Sequence, residues 1–75
     1  MNGGEVVINI AQYPKITMAA ARVNAGLSQD QASKKLDISK ETLSNYENGK
    51  TKPSWNMVKR MEEVYNFPSD FIIFP

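Results

Sequence analysis

The 75-residue chain contains no cysteine and no histidine. Without cysteine there is no disulfide framework and no thiolate metal site. Without histidine the commonest general base and the commonest zinc ligand are both missing, which weakens most enzyme readings. The four glycines form no phosphate-cradling loop. Glu62 and Glu63 are adjacent, but neighbouring helix positions point ~100° apart and do not face one another as a catalytic pair would. No run of about 18 apolar residues exists, as a membrane span would need, and no basic-then-apolar leader is read at the start. The expectation is a soluble, cytoplasmic protein that is not an enzyme, with no catalytic residues, no metal and no cofactor. At this length a single core is close to the lower limit for folding without staples.

The formal net charge is only +1, but the charges are unevenly placed. Lys34, Lys35, Lys40, Lys50, Lys52, Lys59 and Arg60 occupy the middle of the chain against Asp37, Glu41 and Glu47. A basic central segment in a near-neutral chain is compatible with a nucleic-acid-facing side. An ordinary solvated surface gives the same distribution, and charge alone leaves the two open.

Elements can be placed from pattern. "EVVINI", residues 5–10, alternates and is rich in β-branched residues, which predicts a short strand that Pro14 ends. Ile16, Ala20, Val23 and Leu27 then follow a helical spacing, predicting a first helix over 17–25 with Thr17 as N-cap and Gly26 as its left-handed stop. Ser28 and Gln31 form an S-x-x-Q capping box for a second helix over 29–36, barely two turns long and dependent on packing. Ser39 caps a third helix over 40–48, with Leu43 and Tyr46 as its apolar side and Asn48-Gly49 as its stop. After "KTKPS", Ser54 caps a fourth helix over 55–65. Its core stripe is read as Trp55, Val58, Met61, Val64 and Tyr65, with Asn66 as a left-handed cap. Pro68 opens a last apolar turn, "FIIF". Trp55 as a wedge between bases is one option, but its spacing with Val58 and Met61 assigns it to the core.

Two short helices joined by three residues, followed at once by a further core element, describe a helix-turn-helix. The stretch "LSQDQASKKLDISKETLSNYENGKTKPS" resembles the Cro/C1-type (XRE) repressor family of bacteria and phages. The strongest pieces are "GLSQ", the "L-x-I-S" lead-in to the third helix and "YENGKTKPS", and the resemblance covers residues 16–74. It implies an all-α, compact five-helix, lambda-repressor-like domain over 16–75, with residues 1–15 as an N-terminal arm, either a short strand or extended chain.

The resemblance also implies roles for particular residues. The third helix would lie in the DNA major groove with its early outward residues at base edges. Those positions here are Lys40, Glu41, Ser44 and Asn45. Lys40 suits guanine O6/N7, Glu41 can accept from cytosine N4, and Asn45 can pair with adenine N6/N7. Phosphate contacts would fall to Gln29, Thr42, Asn48, Lys50 and Lys52, which position the protein without specifying sequence. Arg22 and Glu47 occupy positions that form an ion pair in many relatives, and two independent solvent charges are the other reading.

The sequence departs from the family pattern at Asp37, where glycine is common, and at Ala32-Ser33, where Leu-Ala is usual. Trp55 and Tyr65 are large enough to refill the volume lost under the second helix. The function implied is sequence-specific binding of double-stranded DNA by a transcriptional regulator, a repressor acting as a homodimer. The alternative is a protein-interaction module such as an antitoxin that binds a partner as well as its operator, with "EVVINI" and "FIIF" as the apolar ends that would meet the partner. No membrane partner is expected.

Overall fold

A computed structural model describes residues 14–75. The strand expected over 5–10, and nearly all of the arm expected over 1–15, lie outside the described residues. Strand β1 (Ile16–Thr17) runs straight into α1 (Met18–Asn24), followed by α2 (Gln29–Leu36), α3 (Lys40–Glu47) and α4 (Trp55–Tyr65). A single 3-10 turn (Ser69–Phe71) then leads into β2 (Ile72–Ile73). β1 and β2 pair in parallel, Ile16 opposite Ile72 and Thr17 opposite Ile73, which fastens the two ends of the described chain together.

Each helix begins where a hydroxyl can satisfy an orphan backbone donor. Thr17, Ser28, Ser39 and Ser54 accept from the N–H groups of Ala20, Gln31, Thr42 and Met57, an arrangement worth about 1 kcal/mol per helix. At α2 the bond is reciprocal, the Ser28 N–H donating to Gln31 Oε1 at 2.9 Å. The stops are left-handed residues: Asp37 (φ 59°), Asn66 (φ 52°), Gly26 (φ 77°) and Gly49 (φ 78°). Asp37 therefore performs the turn between α2 and α3 that glycine makes in the family pattern, because aspartate tolerates this conformation better than most side chains.

The core is one cluster in which Met18, Leu36, Leu43 and Met61 are completely buried. Ala32 at 0% exposure and Ser33 at 4% let α2 lie close to its neighbours. The Ser33 hydroxyl is satisfied by donating to the Asp30 carbonyl at 3.0 Å.

Three expectations are corrected. Among the described residues there are four α-helices, not five: Pro68 and Pro75 bracket the C-terminal segment, and its β-branched Ile72-Ile73 pair extends beside β1 after one 3-10 turn. Val23 is 60% exposed, and α1 buries Met18 and Ala21 instead. Counting the helical phase from Ile16, which belongs to β1, rotated the expected stripe onto the wrong face. Trp55 is 68% exposed and no part of the core. At 100° per residue it lies about 120° around α4 from Met61, the centre of the arc that Met57, Val58, Met61, Val64 and Tyr65 turn to the core.

The end of α4 is tied to the C-terminal turn by Glu62. Its carboxylate accepts from the Ser69 N–H at 2.7 Å and lies 3.3 Å from Lys59 Nζ. The Ser69 hydroxyl, then the Ser69 N–H and Lys59, hold the Glu62 pKa down to about 2. A carboxyl depressed in the folded state stabilises it fully above the ordinary value of 4.5, and that contribution is lost as pH falls toward about 2. Wild type should therefore melt above Glu62→Gln at neutral pH, with the gap closing as pH drops through this window. A gap constant with pH in thermal melts would refute the assignment.

Gly49 is constrained twice, by its positive φ and by a Cβ that would meet Pro75 Cβ at 3.0 Å. Gly26 has a similar φ with nothing within 4 Å. Gly49→Ala should cost more than the ~1–2 kcal/mol expected for left-handed strain alone, and Gly26→Ala only about that amount, by urea unfolding.

Candidate nucleic-acid interface

The helix pair α2–α3 is held to α1 by one carboxylate. Arg22, in the last turn of α1, donates from Nε to Glu47 Oε2 at 2.7 Å and from Nη2 to Oε1 at 3.3 Å. Its Nη1 donates to the Leu27 carbonyl at 2.9 Å, fixing the turn that leads into α2. Gln29, the first residue of α2, gives its amide N–H to Glu47 Oε1 at 2.8 Å. The Arg22 and Glu47 side chains are only 12% and 6% exposed. A paired, nearly buried charge of this kind fixes geometry, since either partner alone would be left uncompensated. Gln29 thus has its amide turned to the last residue of α3.

Beneath this cluster sits Tyr65, buried, with its hydroxyl unpartnered among the described residues. Burial, with the nearby Glu47 charge added, pushes its phenol up to about 12.

The outer side of α3 carries the polar residues singled out from the sequence. Lys40 and Glu41 are exposed, while Thr42, Ser44 and Asn45 are half-buried and Leu43 is fully buried opposite them. Residues 40, 41, 44 and 45 lie within about 140° of arc on the helix, so they share one side. Ser39 spends its hydroxyl within the first turn, donating to Thr42 Oγ1 at 2.8 Å. Lys40 Nζ stands 3.7 Å from Asp30 Oδ1 on α2, with both side chains more than half exposed. Such a pair is worth little and is easily exchanged for another partner. Asn48 donates from Nδ2 to Ser44 Oγ at 3.2 Å, so these two are coupled across the last turn.

The loop after α3 folds back on it. The Asn45 carbonyl accepts from the N–H groups of Lys50 at 2.9 Å and Thr51 at 3.4 Å. Lys50 and Lys52 are exposed and have no acidic partner among the described residues. They stand beside the C-terminal end of the α3 surface. The resulting side offers donors and acceptors on α3 and flanking ammonium groups on the loop. Sequence reasoning did not foresee the Asp30–Lys40 proximity or the free indole at the far end of this loop. The first has no signature in a pattern, because the crossing of α2 and α3 sets it. The second could have been read from the phase of α4 about Met61. No group of three or more metal-ligating side chains occurs among the described residues, and no helix there is long and apolar enough to cross a membrane.

The family model described as helix-turn-helix matches residues 18–72, from the first residue of α1 to β2. The chain belongs to the XRE-type helix-turn-helix family. Its α2 and α3 are then the paired helices from which the family takes its name. The chain is also similar to the HTH-type transcriptional regulator ImmR of Bacillus subtilis (strain 168), 34% identical over 53 residues. That alignment covers 71% of this chain and 42% of the regulator, so the chain spans less than half the length of this curated relative. No solved structure gives a significant match.

The Arg22–Glu47–Gln29 cluster can be tested apart from any DNA. Removing one partner of a buried pair costs about 3–5 kcal/mol, so Glu47→Leu should lower stability by roughly that amount. Arg22→Met combined with Glu47→Leu should cost less than Glu47→Leu alone, because no buried guanidinium is stranded. Additive losses in urea unfolding would mean that the two charges act independently.

Proposed function

We propose that the chain is a sequence-specific binder of double-stranded DNA and a transcriptional regulator acting as a repressor. Residues 16–75 form the DNA-binding unit, and residues 1–15 are an arm. The observation that carries the reading is α3 itself. One side of a short, rigidly anchored helix carries Lys40, Glu41, Ser44 and Asn45, a mixture of donors and acceptors suited to reading base edges rather than only neutralising phosphates. Membership of a helix-turn-helix family and the printed description of the Bacillus relative as a transcriptional regulator support it.

In this proposal α3 enters the major groove with those four side chains at the bases. Thr42, Asn48, Lys50 and Lys52 meet phosphates, and the N-terminal end of α2 lies against the backbone, where its free N–H groups favour an anion. Gln29 contributes there by holding α2 to α3 through Glu47, with its carbonyl oxygen left for a bridging water. Two copies on an inverted repeat would place two α3 helices about one helical turn apart.

Selection from random duplexes, followed by anisotropy titration against salt, tests this. A two-fold symmetric site is expected. Lys40→Ala, Glu41→Ala and Asn45→Ala should each relax one base position, at about 1–3 kcal/mol of discrimination. Log affinity should fall by about 0.9 per phosphate contact for each unit of log salt. Absence of any enriched sequence, with weak and purely salt-driven binding, would reduce the reading to non-specific attraction.

A second reading, a protein partner met through the C-terminal turn, is favoured by the exposure of Ile73 and Phe74 at 49% and 37%. Changing both to serine should abolish that association and leave DNA affinity intact.

A further inference from the structure

Among the exposed large apolar side chains of the described residues, Trp55 stands furthest out. It is the first residue of α4, directly after the Ser54 cap, and the chain's single tryptophan. Lys59, one turn on, places Nζ 5.5 Å from the centre of its ring. Residues 49–61 contain Lys50, Lys52, Lys59 and Arg60 and no acid. An indole alone on a surface is unremarkable. An indole whose nearest charged neighbours along the chain on both sides are lysines, one of them over its ring and paired also with Glu62, is an apolar plate edged mainly by donors.

We propose that Trp55 and Lys59 contact the sugar–phosphate backbone of the DNA duplex, beside the stretch that α3 reads. This rests on the DNA-binding reading above and extends its surface from α3 through the loop to α4. Chemistry selects the backbone. The indole Nε1–H and the lysine ammonium groups are donors without acceptors, whereas phosphate oxygens only accept. The apolar ring suits a deoxyribose face, which carries no charge. A wedge between bases would need both ring faces, and Lys59 lies over one of them.

Continuity with α3 follows from the loop. Lys50 and Thr51 are bonded to the Asn45 carbonyl, and only Lys52, Pro53 and Ser54 separate them from Trp55. A duplex lying along α3 and against Lys50 and Lys52 therefore has the start of α4 as its next neighbour. Lys59 is held within 3.3 Å of Glu62, which fixes the ammonium over the ring and leaves Lys50 and Lys52 to supply most of the attraction.

The lone tryptophan reports on its own burial. The full chain would be titrated with the duplex recovered by selection while two signals are read: anisotropy of the labelled duplex, and tryptophan emission with its acrylamide quenching. At saturation the emission should change and the quenching constant fall at least twofold. Trp55→Ala should weaken binding by about five- to tenfold, from the apolar ring area it no longer buries, with an unchanged salt slope, since no charge is lost. Lys59→Gln should lower that slope by about 0.9. Trp55→Phe, which keeps a ring but no N–H, should fall between wild type and Trp55→Ala. Because Trp55 is exposed, thermal melts of its variants should match wild type.

Saturable binding by anisotropy, with unchanged acrylamide access and wild-type affinity in Trp55→Ala, would overturn the proposal while leaving α3 as the reader. Protection of Trp55 that appears with protein concentration in the absence of DNA would also overturn it, making this a surface between copies of the chain. No binding to any duplex would remove both readings together.

Discussion

The Glu47 carboxylate is the point on which the arrangement of helices depends. With its side chain only 6% exposed, it cannot be left unpaired, and the partners it has among the described residues come from other helices. Arg22 reaches it from α1 and Gln29 from α2, while Glu47 itself ends α3. Three short helices, none long enough to be stable alone, are thus given one relative orientation by hydrogen bonds that tolerate little displacement. The apolar core beneath supplies most of the favourable free energy. It is less selective about angle, since Leu43 and Leu36 could be buried in several nearby packings.

That anchoring separates two demands on α3. One side must be buried, and Leu43 at 0% exposure meets that demand. The other must stay available, and its residues make only weak or local bonds: a long ion pair at 3.7 Å for Lys40 and a side-chain bond within the helix for Ser44. Strong partners are reserved for the residue at the helix end that fixes position. A helix so divided can be rigid in orientation while its outer side chains are free to exchange water for another partner.

Much of this was legible in the sequence because the signals were local. A hydroxyl before a helix, as at Ser28, Ser39 and Ser54, has one plausible use, and the left-handed stops at Gly26 and Asn66 are equally direct. Phase was harder. In α1 the stripe was counted from Ile16, a residue of β1, and the error carried through to Val23. In α4 the spacing that joins Trp55 to Val58 is real, but the stripe centres on Met61 and leaves the first residue facing outward. The C-terminal segment failed for a different reason. Whether "FIIF" coils or extends is decided by the strand it meets, and that partner, β1, is two residues at the other end of the described chain. For the candidate interface, residue types were readable from the sequence, but the bond from Gln29 to Glu47 depends on how α2 and α3 cross.

The pairing of β1 with β2 also bears on the order in which the domain can be completed during synthesis. Helices α2 and α3 are neighbours in sequence and can begin to associate as soon as both are made, and α4, once made, packs on α2 and α1. Ile16 must wait for Ile72, almost the whole of the described chain later. A nascent chain that has not yet released this segment from the ribosome lacks Ile72 from its core and leaves the β1 edge open. Closure is therefore a late event, and a domain stalled short of it would present an unpaired strand edge and an incompletely covered core.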